Sequence, residues 1–107
     1  MRLVQIEVPW IGLGCAVTAN KYLRACIRDA LSRDEIPWSR DAMLFLTNSL
    51  YQADEDQLQE AQDVARKMCL HADLTVFYID KGMSAQMTEI HRWCLMRGKT
   101  IAKRTIY

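Results

Sequence analysis

Leu74-Thr75-Val76-Phe77-Tyr78-Ile79-Asp80-Lys81-Gly82-Met83-Ser84 decides how the rest of this chain is read. Residues 74–79 are apolar or β-branched almost without a break. A strand with one wet face would alternate instead, so this one predicts a central strand covered on both faces, as in a parallel sheet. Asp80-Lys81-Gly82 is a turn, and Ser84 caps the helix that follows. That helix sends Met87, Ile90, Cys94 and Leu95 inward at helical spacing. Gly98 stops it in the left-handed conformation that glycine favours, and Thr100 to Ile106 reads as a closing strand.

Working back toward the amino end, the same alternation recurs. A long helix opens at Asp54 or Asp56, with Leu58, Ala61, Val64, Ala65, Met68, Cys69 and Ala72 as its buried stripe. Residues 42–50 are apolar but ambiguous between helix and irregular packing. Ile36-Pro37-Trp38 is a short extended piece at a sheet edge, because Pro37 pushes Ile36 out of the helical region. Before it lies an amphipathic helix capped by Thr18 or Asn20, with Leu23, Cys26, Ile27, Ala30 and Leu31 inward. Arg2 to Val8 is a first strand, ended by Pro9, which cannot donate to a ladder. Strands alternating with helices imply βαβ units, right-handed crossovers and an α/β fold. The expectation is one domain over residues 1–107. It is a small Rossmann-like or flavodoxin-like three-layer fold with a parallel sheet of about four strands.

Composition narrows the function classes. With 107 residues, a single domain is expected, and half of the residues are apolar. A chain of this length buries only roughly two-thirds of its unfolded surface, so self-association as a homodimer or larger is expected. Fourteen basic against thirteen acidic residues give a net charge of +1. That is not the basic surplus of a phosphate-backbone binder, so no nucleic-acid partner is expected. No apolar run approaches the roughly 18 residues of a membrane span, and the first residues lack the apolar core of a signal peptide. The four cysteines, Cys15, Cys26, Cys69 and Cys94, contain no C-x-x-C and read as reduced cytosolic thiols. His71 and His91 have no ligating partner at the spacing metal sites use, so no metal and no cofactor are expected.

In open parallel sheets, ligands sit beyond the carboxyl ends of the strands. Two loops qualify. After the first strand, Pro9, Trp10 and Gly12 could line a ligand, with Trp10 stacking on a base or ribose or else capping the core edge. Gly12-x-Gly14 alone is a weak phosphate motif. After the central strand, Gly82, Met83 and Ser84 precede a helix start whose free amides and dipole suit phosphate or carboxylate. Asp-x-Gly is equally an ordinary turn, and Ser84 an ordinary cap. Glu89, in the second turn of that helix, could act as a nucleophile at a sugar's anomeric carbon. It could also be solvated, or pair with Arg92 or Trp93.

The run Ala72 to Asp80, with Gly82-Met83-Ser84, Met87 and Gly98-Lys99-Thr100-Ile101, resembles the nucleoside 2-deoxyribosyltransferase-like superfamily. It is most similar to a branch of small phage and bacterial proteins. Val8-Pro9-Trp10, Asn20, Ile36-Pro37-Trp38-Ser39 and Phe45-Leu46-Thr47-Asn48 resemble that branch more loosely. Gln86 stands where the branch has glycine, and the long central region of the transferases is missing. The resemblance implies a nucleoside or nucleotide ligand and a glutamate nucleophile at Glu89, with Asp80 as acid/base or sugar-orienting group. It also implies, for a phage protein, work in the host cytoplasm, such as sequestering a nucleotide signal. An enzyme exchanging or cleaving an N-glycosidic bond, and an interaction subunit with no small ligand, stand as alternatives.

Overall fold

The computed structural model describes residues 1–9, 16–42 and 55–107. In chain order the elements are β1 (Arg2–Glu7), α1 (Ala16–Ser32), β2 (Glu35–Trp38), α2 (Glu55–His71), β3 (Leu74–Tyr78), α3 (Ala85–Met96) and β4 (Ile101–Arg104). The four strands form one sheet in the order β2-β1-β3-β4, and every pairing is parallel. The fold is α/β, a small Rossmann- or flavodoxin-like sheet with helices on both faces.

Strand β3 lies inside the sheet, between β1 and β4, and all five of its residues are buried. Its alternate side chains enter two cores. Leu74, Val76 and Tyr78 join Val4, Ile6 and Val8 of β1 beneath α1, which contributes Tyr22, Leu23, Cys26 and Ala30. Phe77 turns the other way and packs with Ala65 and Cys69 of α2 and Met87, Ile90 and Cys94 of α3. The connection from β1 to β2 puts α1 on one face. The crossover from β2 back over β1 to β3 then puts α2 on the other.

The ends of α3 follow from its sequence. Ser84 is the N-cap: its hydroxyl accepts from the Met87 amide at 3.2 Å. At the other end Gly98 (φ +64°) donates to Leu95 O, and Lys99 donates to Cys94 O. This is the Schellman pair of bonds, which needs a left-handed residue at the position Gly98 fills.

Several expectations are corrected. Helix α1 begins at Ala16, so Thr18 and Asn20 lie inside it rather than capping it. The last strand is shorter than residues 100–106, because only 101–104 pair with β3. Leu31, Val64 and Leu95 are exposed rather than inward. Each stands beside a fully buried residue of its own helix, Ala30, Ala65 and Cys94 respectively, at the margin of the buried stripe. Cys26, Cys69 and Cys94 are buried free thiols. Trp10, Gly12, Cys15, Asp54 and the ambiguous stretch from residue 43 to residue 50 lie outside the described residues.

Candidate functional site

The chain leaves β1 in one direction, to β2, and later returns past it to β3. The gap beyond the carboxyl ends of β1 and β3 is therefore the topological switch point, where such sheets hold ligands. Among the described residues, two polar groups stand at this edge, on opposite faces of the sheet.

On the α1 face stands Asp80. Tyr22 donates its hydroxyl to Asp80 Oδ2 at 2.7 Å, and the amides of Ile106 and Tyr107 donate to Oδ1 at 3.0 Å each. Burial pushes the carboxyl up, but these hydrogen bonds outweigh it and hold Asp80 below its ordinary value. Tyr107 stacks on Tyr22, with ring centroids 6.4 Å apart, and Lys81 Nζ lies 5.7 Å from the Tyr107 ring. Asp80 thus fastens the segment after β4 to the end of β3.

On the α2 face lies a larger polar cluster. Glu7 ends β1 and is fully buried, as is Gln5 two residues earlier on the same side. Arg40, just past the carboxyl end of β2, donates to Glu7 Oε1 at 2.7 Å. Its side chain is 6 % exposed, so both members of this ion pair are out of water. Gln5 Nε2 donates to Glu7 Oε2 at 3.2 Å and to the Ala65 carbonyl of α2 at 3.1 Å. Asp41, 7 % exposed, neighbours the pair. Burial drives its carboxyl up to about 7, with Arg40 opposing and Glu7 adding to the rise. Burial likewise raises Glu7, against the pull of Arg40 and the Gln5 hydrogen bond.

Glu89 belongs to this cluster. Gln62 of α2 donates to Glu89 Oε2 at 2.9 Å and to the Gln86 carbonyl at 3.2 Å, and Arg66 of α2 pairs with Oε1. Burial acts to raise Glu89, but Arg66, Gln62 and the more distant charge of Arg40 prevail and hold it low, as a carboxylate. With its side chain 43 % exposed, Glu89 is the rim of a group whose floor is Glu7, Gln5 and Asp41. Its partners come from α2, not from Arg92 or Trp93.

Asp80 and Glu89 are therefore not brought together: Tyr22 holds one on the α1 face, and Gln62 with Arg66 holds the other beneath α2. Pro9 is buried just past β1. Gly82 adopts φ +85° in the turn after β3, where its amide donates to Ile79 O at 2.9 Å. Met83 packs against the core between α2 and α3, and the Ser84 hydroxyl is used by Met87. Trp10 and Gly12 lie outside the described residues.

Sequence reasoning missed Glu7, Arg40, Asp41 and Gln62. Gln62 could have been found by spacing, since it stands in line with Ala65 and Cys69 on the buried side of α2. The polarity of Gln5 and Glu7 disguised the second buried face of β1. Among the described residues, no group of three His, Cys, Asp or Glu side chains is placed to hold a metal ion. No protein-family model matches the chain, and no curated protein matches its sequence.

Proposed function

We propose that this chain binds a nucleoside or nucleotide at the carboxyl edge of β1 and β3. One observation carries the reading: a buried Glu7–Arg40 ion pair, with Asp41 and two glutamines around it, sits at the switch point. Buried charge of this kind is costly for folding and is concentrated where ligands are recognised. The base and sugar would lie toward Glu7, Arg40 and Glu89. Phosphate would lie at the start of α3, where Gly82 and Met83 lead to Ser84. The amides of Ala85 and Gln86 there precede the first intrahelical bond, from Thr88 to Ser84 O. Pro9, buried just past β1, would belong to the facing wall. Asp80 is already occupied by three donors, so its sugar-orienting role passes to the α2-face cluster. As a small domain of this kind, the protein would act as a homodimer or larger, in a cytoplasm, and as a phage product it would sequester a nucleotide signal.

A second reading has its own support. Glu89 is held ionised while Asp41 holds its proton to near neutrality. Carboxyls pushed apart within one cluster are the pattern of a nucleophile and an acid at an N-glycosidic bond. Thermal shift with nucleosides and nucleotides, followed by product analysis, separates the readings. A ligand at a hundred times its dissociation constant should stabilise by about 2.7 kcal/mol. Free base released by the wild type and not by Glu89→Gln, which still binds, establishes the enzyme. Stabilisation without product establishes the binder. No shift with any compound leaves an interaction subunit and refutes both.

A further inference from the structure

Helices α1 and α2 cover opposite faces of the sheet, and their outward sides carry opposite charge. On α1 the exposed residues run Lys21, Arg24, Arg28 and then Leu31. On α2 they run Asp56, Glu60 and then Val64. Spacings of three and four residues put each set on one stripe of its helix, away from the side that is buried. Among the described residues, Lys21, Arg24, Arg28, Asp56 and Glu60 enter no ion pair, whereas Asp63 beside them pairs with Arg66. Leu31 and Val64 are large apolar side chains left 54 % and 42 % exposed, so each stripe also offers something to bury. Past them the sign changes: exposed Asp34 follows Leu31, and exposed Lys67 follows Val64. The two stripes therefore have the same order of parts with every charge reversed.

The topology lets them meet. Only Arg33 and Asp34 separate α1 from β2, and only Ala72 and Asp73 separate α2 from β3. Both helices thus end at the amino edge of one parallel sheet and run in the same direction. A second copy laid on the first without being turned over sets its α2 parallel to the first copy's α1. Arg24 and Arg28 then face Asp56 and Glu60, Leu31 faces Val64, and Asp34 faces Lys67. Arg24 to Leu31 spans about 10 Å and Asp56 to Val64 about 12 Å, so the register slips by only about one residue's rise. We propose that copies of this chain associate in this way, α1 of one against α2 of the next. A two-fold dimer through either helix would set like charges against each other, so the contact is heterologous and leaves a free face at each end for a further copy. Nucleic acid, an anionic lipid surface or an acidic protein would account for the stripe on α1 and leave that on α2 without a role. With one apolar contact among the charges, the association is weak and salt-dependent.

Sedimentation velocity over a concentration series tests this. At about 20 mM salt the wild type should grow past a dimer as concentration rises, and at about 0.5 M salt, where screening is nearly complete, its association should weaken about tenfold or more. Lys21→Glu with Arg24→Glu and Arg28→Glu makes both outer faces acidic, and Asp56→Lys with Glu60→Lys makes both basic. Each variant alone should stay monomeric at low salt, and an equal mixture of the two should associate again. Arg24→Gln with Arg28→Gln, a milder change, keeps the test open if a reversed chain does not fold, and should weaken association about threefold or more. A wild type that is monomeric throughout, growth that stops at a dimer, or a mixture that stays monomeric would each overturn the proposal. So would binding of the monomeric wild type to vesicles containing phosphatidylserine that is lost on reversing α1 and kept on reversing α2, since the basic stripe would then belong to a membrane.

Discussion

Replacing Asp41 by asparagine should change the pH dependence of stability, and the size can be worked from the fold. Asp41 is 7 % exposed, and burial moves its carboxyl from 3.8 to about 7. At acid pH the residue is protonated in the folded and unfolded chains alike, and this contribution is fully present. As pH rises past 3.8 the unfolded chain gives up its proton while the folded one keeps it, so the folded state loses ground. The loss is complete once pH passes about 7. A shift of roughly 3 pH units at 1.36 kcal/mol per unit amounts to about 4 kcal/mol. Asparagine has no such term, and the hydrogen bonds of its amide add only an offset that does not vary with pH. Glu7 is raised by burial as well and titrates with Asp41, so the effect belongs to the pair. Glu89 and Asp80 are held low and lose their contribution only in acid, in both proteins equally. Urea unfolding of wild type and Asp41→Asn from pH 4.5 to 8.5 measures the difference directly. The variant should gain on the wild type by about 3–4 kcal/mol across that range. Curves that stay parallel within about 0.5 kcal/mol would mean that Asp41 is not desolvated, and the acid role drawn from it would fall.

Two further expectations concern the frame of the site. Asp80→Ala removes the acceptor of Tyr22 and of the Ile106 and Tyr107 amides, which should cost about 1–3 kcal/mol and deprotect both amides in hydrogen exchange. Unchanged protection there would show that Asp80 is not what fastens the segment after β4. Gly98→Ala forces a side chain into φ +64°, with nothing in its way sterically, so strain alone should lower stability by about 1 kcal/mol in thermal unfolding. An unchanged midpoint would contradict the left-handed cap.

Most of the frame was legible because it depends on period and punctuation. The unbroken run from Leu74 to Tyr78 told that both faces of β3 are covered, and the sheet order puts it inside. Ser84 and Gly98 marked the ends of α3 through chemistry that acts over a few residues. What stayed hidden depends on contacts distant in sequence. Arg40 meets Glu7 across 33 residues, and Gln62 meets Glu89 across 27. Polar and apolar residues alternate along β1, the pattern of a strand with one wet face. In a parallel sheet with helices on both sides, that inference from polarity fails, and Gln5 and Glu7 lie beneath α2. Asp80 had every local sign of a ligand residue, yet the segment after β4, beyond the reach of local reasoning, takes up its oxygens.

The cluster invites a test of whether it exists for the fold or for a ligand. Removing one member of a buried ion pair strands the other, and Arg40→Leu alone should cost about 3–5 kcal/mol. Removing both, as in Glu7→Met with Arg40→Leu, takes away two desolvated charges and leaves apolar side chains where Glu7 and Arg40 now meet. Such replacements are commonly neutral or stabilising. The double variant should therefore be at least as stable as the wild type in urea, while losing nucleoside binding. A cluster kept for architecture would behave in the opposite way. The double variant would then be less stable than either single one, and the argument from costly buried charge to a ligand would have no footing.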